Sequence, residues 1–180
     1  MTEAVKEQFE HVVRLLEDSQ GELERSLKGL DDEFCSAKPA VGGWSITEVI
    51  EHLTVIEQRV PRRLQTMLPA GEPVPDHLNG HWKDAELIQQ IQSYTNKIDA
   101  PEVVRPTGRY RSCQEALAAF NALRQSTLAY TASATPYLRG RLLPHPLFGP
   151  IDGCQWLLAL GAHTQRHVKQ IEAIKAAAHQ

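Results

Sequence analysis

QWLLALGAHTQRHVKQIEAIKAAA, residues 155–178, is the stretch from which the fold can be read. Trp156, Ala159, Leu160, Val168, Ile171 and Ile174 recur at helical spacing, the pattern of a helix that buries one face. His163 and His167 lie on that face or at its edge. Side chains four residues apart on a helix project one above the other, so both imidazoles can reach a single metal ion. Buried imidazoles need partners, and a shared ion is one.

Working outward, residues 2–28 place Val5, Phe9, Val12, Leu16, Leu23 and Leu27 mostly at three- and four-residue steps, which predicts a first long helix ending near Gly29. Residues 31–43 read as a connection holding Pro39, Gly42 and Gly43. The next start signal is fuller: Ser45 with Glu48 makes a capping box, and Trp44 with Val49 is placed to form a hydrophobic staple. A helix is therefore expected from Ile46, with an apolar stripe of Val49, Ile50, Leu53, Ile56, Val60 and Leu64. His52 sits inside that stripe. Pro61 removes a backbone donor and crowds the preceding turn, so a kink or interruption is expected there, with helical segments reaching Leu68.

Residues 69–111 are rich in Pro and Gly, with one short helical candidate at 85–98 using Leu87, Ile88, Ile91, Tyr94 and Ile98. Ser112 and Glu115 repeat the capping box, opening a helix that runs to about Ser133 on Leu117, Phe120, Leu123, Thr127 and Leu128. Residues 134–151 form a second long connection with four prolines, after which Asp152 can cap the last helix. Four long amphipathic helices with almost no strand pattern predict an all-α four-helix bundle. The long crossover connections favour parallel neighbours over an up-and-down meander, and one domain over residues 1–180 is expected.

Composition excludes several classes of function. Net charge is -3, and the 19 Lys and Arg residues are scattered, so no electrostatic footprint for nucleic acid is visible. Cys35, Cys113 and Cys154 are odd in number and lack a CxxC, which argues against a disulfide framework and a thiolate zinc site. The N-terminal MTEAVKEQFEHVV has neither the basic start nor the apolar run of a signal peptide. The longest apolar stretch, residues 156–162, falls far short of the roughly 20 residues that span a bilayer. A cytoplasmic protein without a membrane anchor is expected.

His52 joins His163 and His167 if the second and fourth helices pack together. Three neutral imidazoles with an open fourth position are the ligand set of a catalytic zinc site, although imidazole also suits nickel, iron and copper. The competing reading makes each an ordinary core histidine bonded to backbone. Thr164 stands where a zinc protease would have its Glu, which removes the HExxH reading. Gln170, on nearly the face of His163, is a candidate to orient a ligand. Glu48 reads as a cap, Glu51 as solvated, and Arg166 as exposed in preference to meeting an acidic substrate. His77 and His81 read as surface loop residues. Cys113 falls in a first helical turn, where the dipole can lower a thiol pKa, and Cys154 faces away from His163. Tyr110, Phe148 and Trp156 are apolar candidates for the walls of a pocket, with plain core as the competing reading.

Taken in order, Trp44-Ser45-Ile46-Thr47-Glu48 running into Glu51-His52-Leu53, then Ala100-Pro101-Glu102, Pro106-Thr107-Gly108, His145-Pro146, Gly149 and His163-Thr164-Gln165-Arg166-His167-Val168-Lys169-Gln170-Ile171, the chain resembles the DinB/YfiT-like family of metalloenzymes. The resemblance implies a four-helix bundle, often a homodimer. It implies a divalent metal, zinc or nickel, held by a histidine of the second helix and the HxxxH pair of the fourth, which are here His52, His163 and His167. It further implies a small-molecule substrate and a thiol-dependent S-transferase or isomerase activity with a low-molecular-weight thiol as cofactor. A metal with an open position can bind and deprotonate such a thiol beside an electrophile. Without a thiol the same position takes water and gives a metal-dependent hydrolase. A non-catalytic stress protein that binds metal or a small molecule is the remaining reading.

Overall fold

The computed structural model describes residues 3–40, 42–73, 83–94, 100–134 and 138–178. Four long helices dominate it: α1 (Glu3–Ser26), α3 (Ile46–Met67), α5 (Cys113–Ala134) and α6 (Gly153–Ala178). Between them lie the short α2 (Asp32–Ser36) and α4 (Asp84–Gln92), the strands β1 (Glu72–Pro73), β2 (Arg141–His145) and β3 (Gly149–Asp152), and 3-10 turns at Leu68–Ala70 and Glu102–Val104. The protein is a mostly helical four-helix bundle, as the periodicity predicts.

Local chemistry sets the helix starts. Ser45 Oγ accepts the Glu48 N–H at 3.3 Å while the Glu48 carboxylate accepts the Ser45 N–H at 2.8 Å, completing the expected box. Asp152 Oδ1 accepts the Gln155 N–H at 2.8 Å, and Gln155 Oε1 accepts the Asp152 N–H at 3.3 Å, so α6 begins on a second reciprocal cap. At Ser112 only half the box forms: its hydroxyl accepts the Glu115 N–H at 3.1 Å, but the Glu115 carboxylate takes the Arg111 N–H at 2.9 Å.

Several expectations need correction. Pro61 does not interrupt α3, which runs on to Met67, because buried Val60 and Leu64 hold the helix on either side of it. The 31–43 connection contains α2, capped by Asp31, whose carboxylate accepts the Phe34 N–H at 2.8 Å. An antiparallel sheet of order β1-β2-β3 stands where no strand was expected, pairing Leu143 with Ile151 and turning through Gly149 at φ 70°. Strands this short and proline-rich carry no readable alternation. The 85–98 candidate is α4 over residues 84–92; residues 95–99, like His77 and His81, lie outside the described residues.

Cross-helix contacts fix the topology. Leu15 lies 2.9 Å from where a Cβ on Gly161 would sit, Glu22 accepts from Gln165, and the Ser26 carbonyl accepts from Lys175, so α1 and α6 run in parallel. Gln20 donates to Asn121, and the Leu16 carbonyl accepts from Arg124, which sets α5 antiparallel to α1. His52 meets His163 and His167 while Arg63, further along α3, covers the Trp156 ring earlier in α6, so those two helices are also antiparallel. The long connections give the parallel neighbours that the sequence favours.

The apolar core comes in two blocks. One gathers Val12, Leu16, Val60, Leu64 and residues 156–160; the other gathers Leu23, Ile46, Ile50, Leu53, Phe120 and Ile171. Between them each long helix contributes polar residues: Ser19, then His52 and Glu57, then Arg124, then His163, Thr164 and His167. Arg124 and Glu57 are both fully buried. All five guanidinium hydrogens find acceptors: Glu57 at 2.8 and 2.9 Å, Ser19 at 2.8 Å, Thr164 at 3.1 Å and the Leu16 carbonyl. No helix among the described residues is long and apolar enough to cross a membrane.

Candidate metal centre

His52 projects from α3, the seventh residue of that helix, where the capping box at Ser45 has set its phase. His163 and His167 project from α6, one turn apart. One ligand-capable atom from each of the three rings lies within 4.8 Å of the other two. His52 and His167 are buried, and His163 is partly so. The structure thus brings together the three residues singled out from sequence.

Outer partners orient two of the rings. His52 Nδ1 lies 2.7 Å from the Val104 carbonyl oxygen, which can only accept, so the proton sits on Nδ1 and the Nε2 lone pair is left for the centre. His167 Nδ1 lies 2.8 Å from Gln170 Oε1, so Gln170 orients the His167 ring. His163 is the unsettled member. Its Nδ1 is buried without a hydrogen-bond partner among the described residues, and its Nε2 faces the Nε2 of His167 at 3.1 Å. Two ligand nitrogens at a tetrahedral angle around an ion at ~2.0–2.1 Å would lie about 3.3 Å apart. The donor set therefore fits a divalent ion.

The electrostatics suit ligation, which requires neutral imidazole. Burial lowers the basicity of all three rings. His167 is pushed down to about 3 by burial and then by His52, against an opposing contribution from Gln170. His163 falls well below the ordinary histidine value through burial and then through His167, His52, Arg166 and His145. His52 is lowered by burial, with the Val104 carbonyl opposing and Arg166 reinforcing. Trp44 covers His52, with ring centroids 4.8 Å apart.

Two expectations about neighbouring residues fail. Glu51 is buried at 1% exposure, and its carboxylate accepts from the Thr107 N–H and hydroxyl and from the Gly108 and Arg109 N–H groups, at 2.7–3.0 Å. A loop distant in sequence folds over it. Arg166 is partly buried, with its guanidinium 5.4 Å from the centre of the Tyr94 ring. Among the described residues it has no hydrogen bond or ion pair.

The pocket-wall candidates are dispersed. Trp156 is core at 6% exposure, with the His145 ring 4.5 Å away, and Phe148 lies 4.8 Å from the same His145 ring. Tyr110 packs against the second core block and lines a cavity of about 120 Å³ with Ser36, Lys38, Ser45 and Glu51. Cys113 is buried, and burial raises its thiol instead of the helix terminus lowering it. Cys154 is buried and pushed up to about 12. Sequence reasoning missed the roles of Arg124 and Glu57, although each occupies a core position of its helix: four residues after Phe120, and four after Leu53.

A four-helix bundle holding a buried three-histidine cluster able to take a metal ion is the class of protein that this fold and site define. The chain belongs to the DinB superfamily, whose family model matches residues 15–171 and so spans all three histidines. It is 28% identical over 161 residues to the uncharacterized protein YuaE of Bacillus subtilis, covering 89% of this chain and 95% of that one. Among solved structures it resembles YfiT from Bacillus subtilis, described as a probable metal-dependent hydrolase with an unusual four-helix bundle topology. That match has a TM-score of 0.64 at 17% identity and covers 99% of this chain and 90% of YfiT. It also resembles TT2238, a four-helix bundle protein, with a TM-score of 0.58 at 23% identity, covering 91% and 97%.

Proposed function

We propose that the protein is a divalent-metal-dependent hydrolase of small acidic molecules, with His52, His163 and His167 as the metal ligands. The observation that carries the reading is the convergence of three imidazoles, two of them held by Val104 and Gln170 so that Nε2 faces the centre. Three protein ligands leave a fourth position open, which is the arrangement of a catalytic site, whereas structural zinc sites are usually closed by four. An ion there, zinc or nickel, would supply Lewis acidity and make a bound water a nucleophile near neutral pH.

The chain's own residues do the rest. Val104 and Gln170 keep two of the rings aimed, while burial keeps them neutral. Arg166 lies close enough to lower the basicity of all three rings. A site with neutral ligands, a divalent ion and this guanidinium favours an anionic substrate. Hydrolysis stands ahead of thiol transfer because the likeness to YfiT supports it, and thiol transfer becomes the alternative outcome of the test. Zinc- and nickel-loaded protein is assayed on carboxylate-bearing esters and amides and on phosphomonoesters, with and without glutathione. Turnover without thiol, abolished in His52→Ala and weakened in KM by Arg166→Gln, supports hydrolysis. Conjugation that requires the thiol would establish the transferase, and equal turnover by His52→Ala would sink both.

A further inference from the structure

Glu51 and His52 are consecutive residues of α3, and both reach into the same stretch of the α4–α5 connection. His52 Nδ1 donates to the Val104 carbonyl at the end of the 3-10 turn Glu102–Val104. Glu51, all but buried, accepts from three successive backbone N–H groups and a hydroxyl just beyond it: Thr107 N–H at 2.7 Å, Thr107 Oγ1 at 2.9 Å, and Gly108 and Arg109 N–H at 3.0 Å each. Gly108 adopts φ 78°, a conformation that lets neighbouring N–H groups point to one side, where a carboxylate can take them together. A carboxylate is taken out of water here only because four donors meet it.

We infer that Glu51 is a positioning residue for the candidate metal centre, acting through residues 102–109 on His52. The inference rests on the metal-site reading above, since it assigns Glu51 a role toward that site. The bonds to Glu51 hold the segment in place, the segment holds the Val104 carbonyl, and the carbonyl holds the proton on Nδ1. Releasing the loop frees the His52 ring to turn and to carry its proton on Nε2, the atom the centre needs bare. Coupling is reciprocal, so an ion bound to His52 also steadies the loop.

The test compares wild type with Glu51→Gln, which keeps the side chain's size but turns an NH₂ toward the loop donors. Glu48→Gln serves as a control: its carboxylate bonds to Lys38 and Ser45 and not to residues 102–109, and a glutamine still completes a capping box. Three readouts are taken: zinc affinity by competition with a chromophoric chelator, the His52 Nδ1–H signal by nitrogen-15 NMR of metal-free protein, and the rate of tryptic cleavage after Arg109 and Arg111. In Glu51→Gln we expect zinc affinity about 10- to 100-fold weaker, the usual effect of losing an outer-shell partner. We also expect loss of the Nδ1–H signal, faster cleavage, and slower cleavage of wild type once zinc is added; Glu48→Gln should keep wild-type affinity. Wild-type zinc binding unchanged in Glu51→Gln would overturn the inference. If wild type binds no zinc, the metal reading fails separately, and the NMR signal decides whether Glu51 still sets the tautomer. Should Glu51→Gln fail to fold, Thr107→Val removes one of the four bonds and must move the same readouts in the same direction.

Discussion

At the scale of single residues, the polar side chains inside the bundle are satisfied to different degrees. Arg124 has every donor engaged, and its partner Glu57 accepts through both oxygens, so the pair is tolerated at zero exposure. Replacing Arg124 by Met leaves a bare buried carboxylate and is expected to cost about 3–5 kcal/mol in urea unfolding. Pairing it with Glu57→Leu should recover most of that loss. An Arg124→Met protein as stable as wild type would mean that water reaches Glu57. His145 behaves differently. It packs against Trp156 and Phe148, takes the Leu147 N–H on Nδ1, and is pushed down to about 4 by burial and by Arg63, with His163 also in electrostatic reach. Between about pH 6.5 and 4 the unfolded chain binds a proton at this residue that the folded chain refuses. Its contribution to stability is therefore complete above pH 6.5 and declines as the pH falls toward 4. Melting temperatures over this range should fall less steeply for His145→Gln than for wild type, and parallel curves would show that the ring is solvated.

At the scale of elements, α1 and α6 pack closely at Gly161. A Cβ on Gly161 would sit 2.9 Å from Leu15 Cγ and 3.3 Å from the Leu15 carbonyl oxygen, so backbone as well as side chain is in the way. Gly161→Ala should gain about 1 kcal/mol of helix propensity and lose about 1–3 kcal/mol to overpacking, with a net fall in melting temperature. A rise would indicate that α1 shifts freely against α6. Legibility from sequence also differs between elements. The starts of α3 and α6 were readable because capping is a local exchange between residues three apart. His52, His163 and His167 were readable as apolar-face histidines, and the family pattern joined them. Glu51 was not, because its partners are backbone N–H groups 56–58 positions away, in a loop whose path no periodicity describes. Arg124 is not legible from sequence, because a lone charge in an apolar stripe looks like the stripe's edge until the opposing helix supplies Glu57.

At the scale of the whole molecule, the candidate site belongs to a polar layer between two apolar blocks. Both blocks draw on α1, α3, α5 and α6, so each clamps the four long helices together without help from the layer. That arrangement frees the histidines from holding the fold and lets them be arranged for ligation. It also separates a catalytic from a structural ion: the metal-free bundle should stay folded, whereas a bundle held by its metal would melt on chelation. On the proposed function, this layer holds one divalent ion on three imidazoles. The most direct measurement is elemental analysis of metal per chain in untagged protein, before and after reconstitution with zinc or nickel, for wild type and for His163→Ala with His167→Ala. About one equivalent is expected in wild type, lost in the double variant while the helical circular dichroism is kept. Wild type that takes up no ion on reconstitution, or a double variant that still binds a full equivalent, would contradict it.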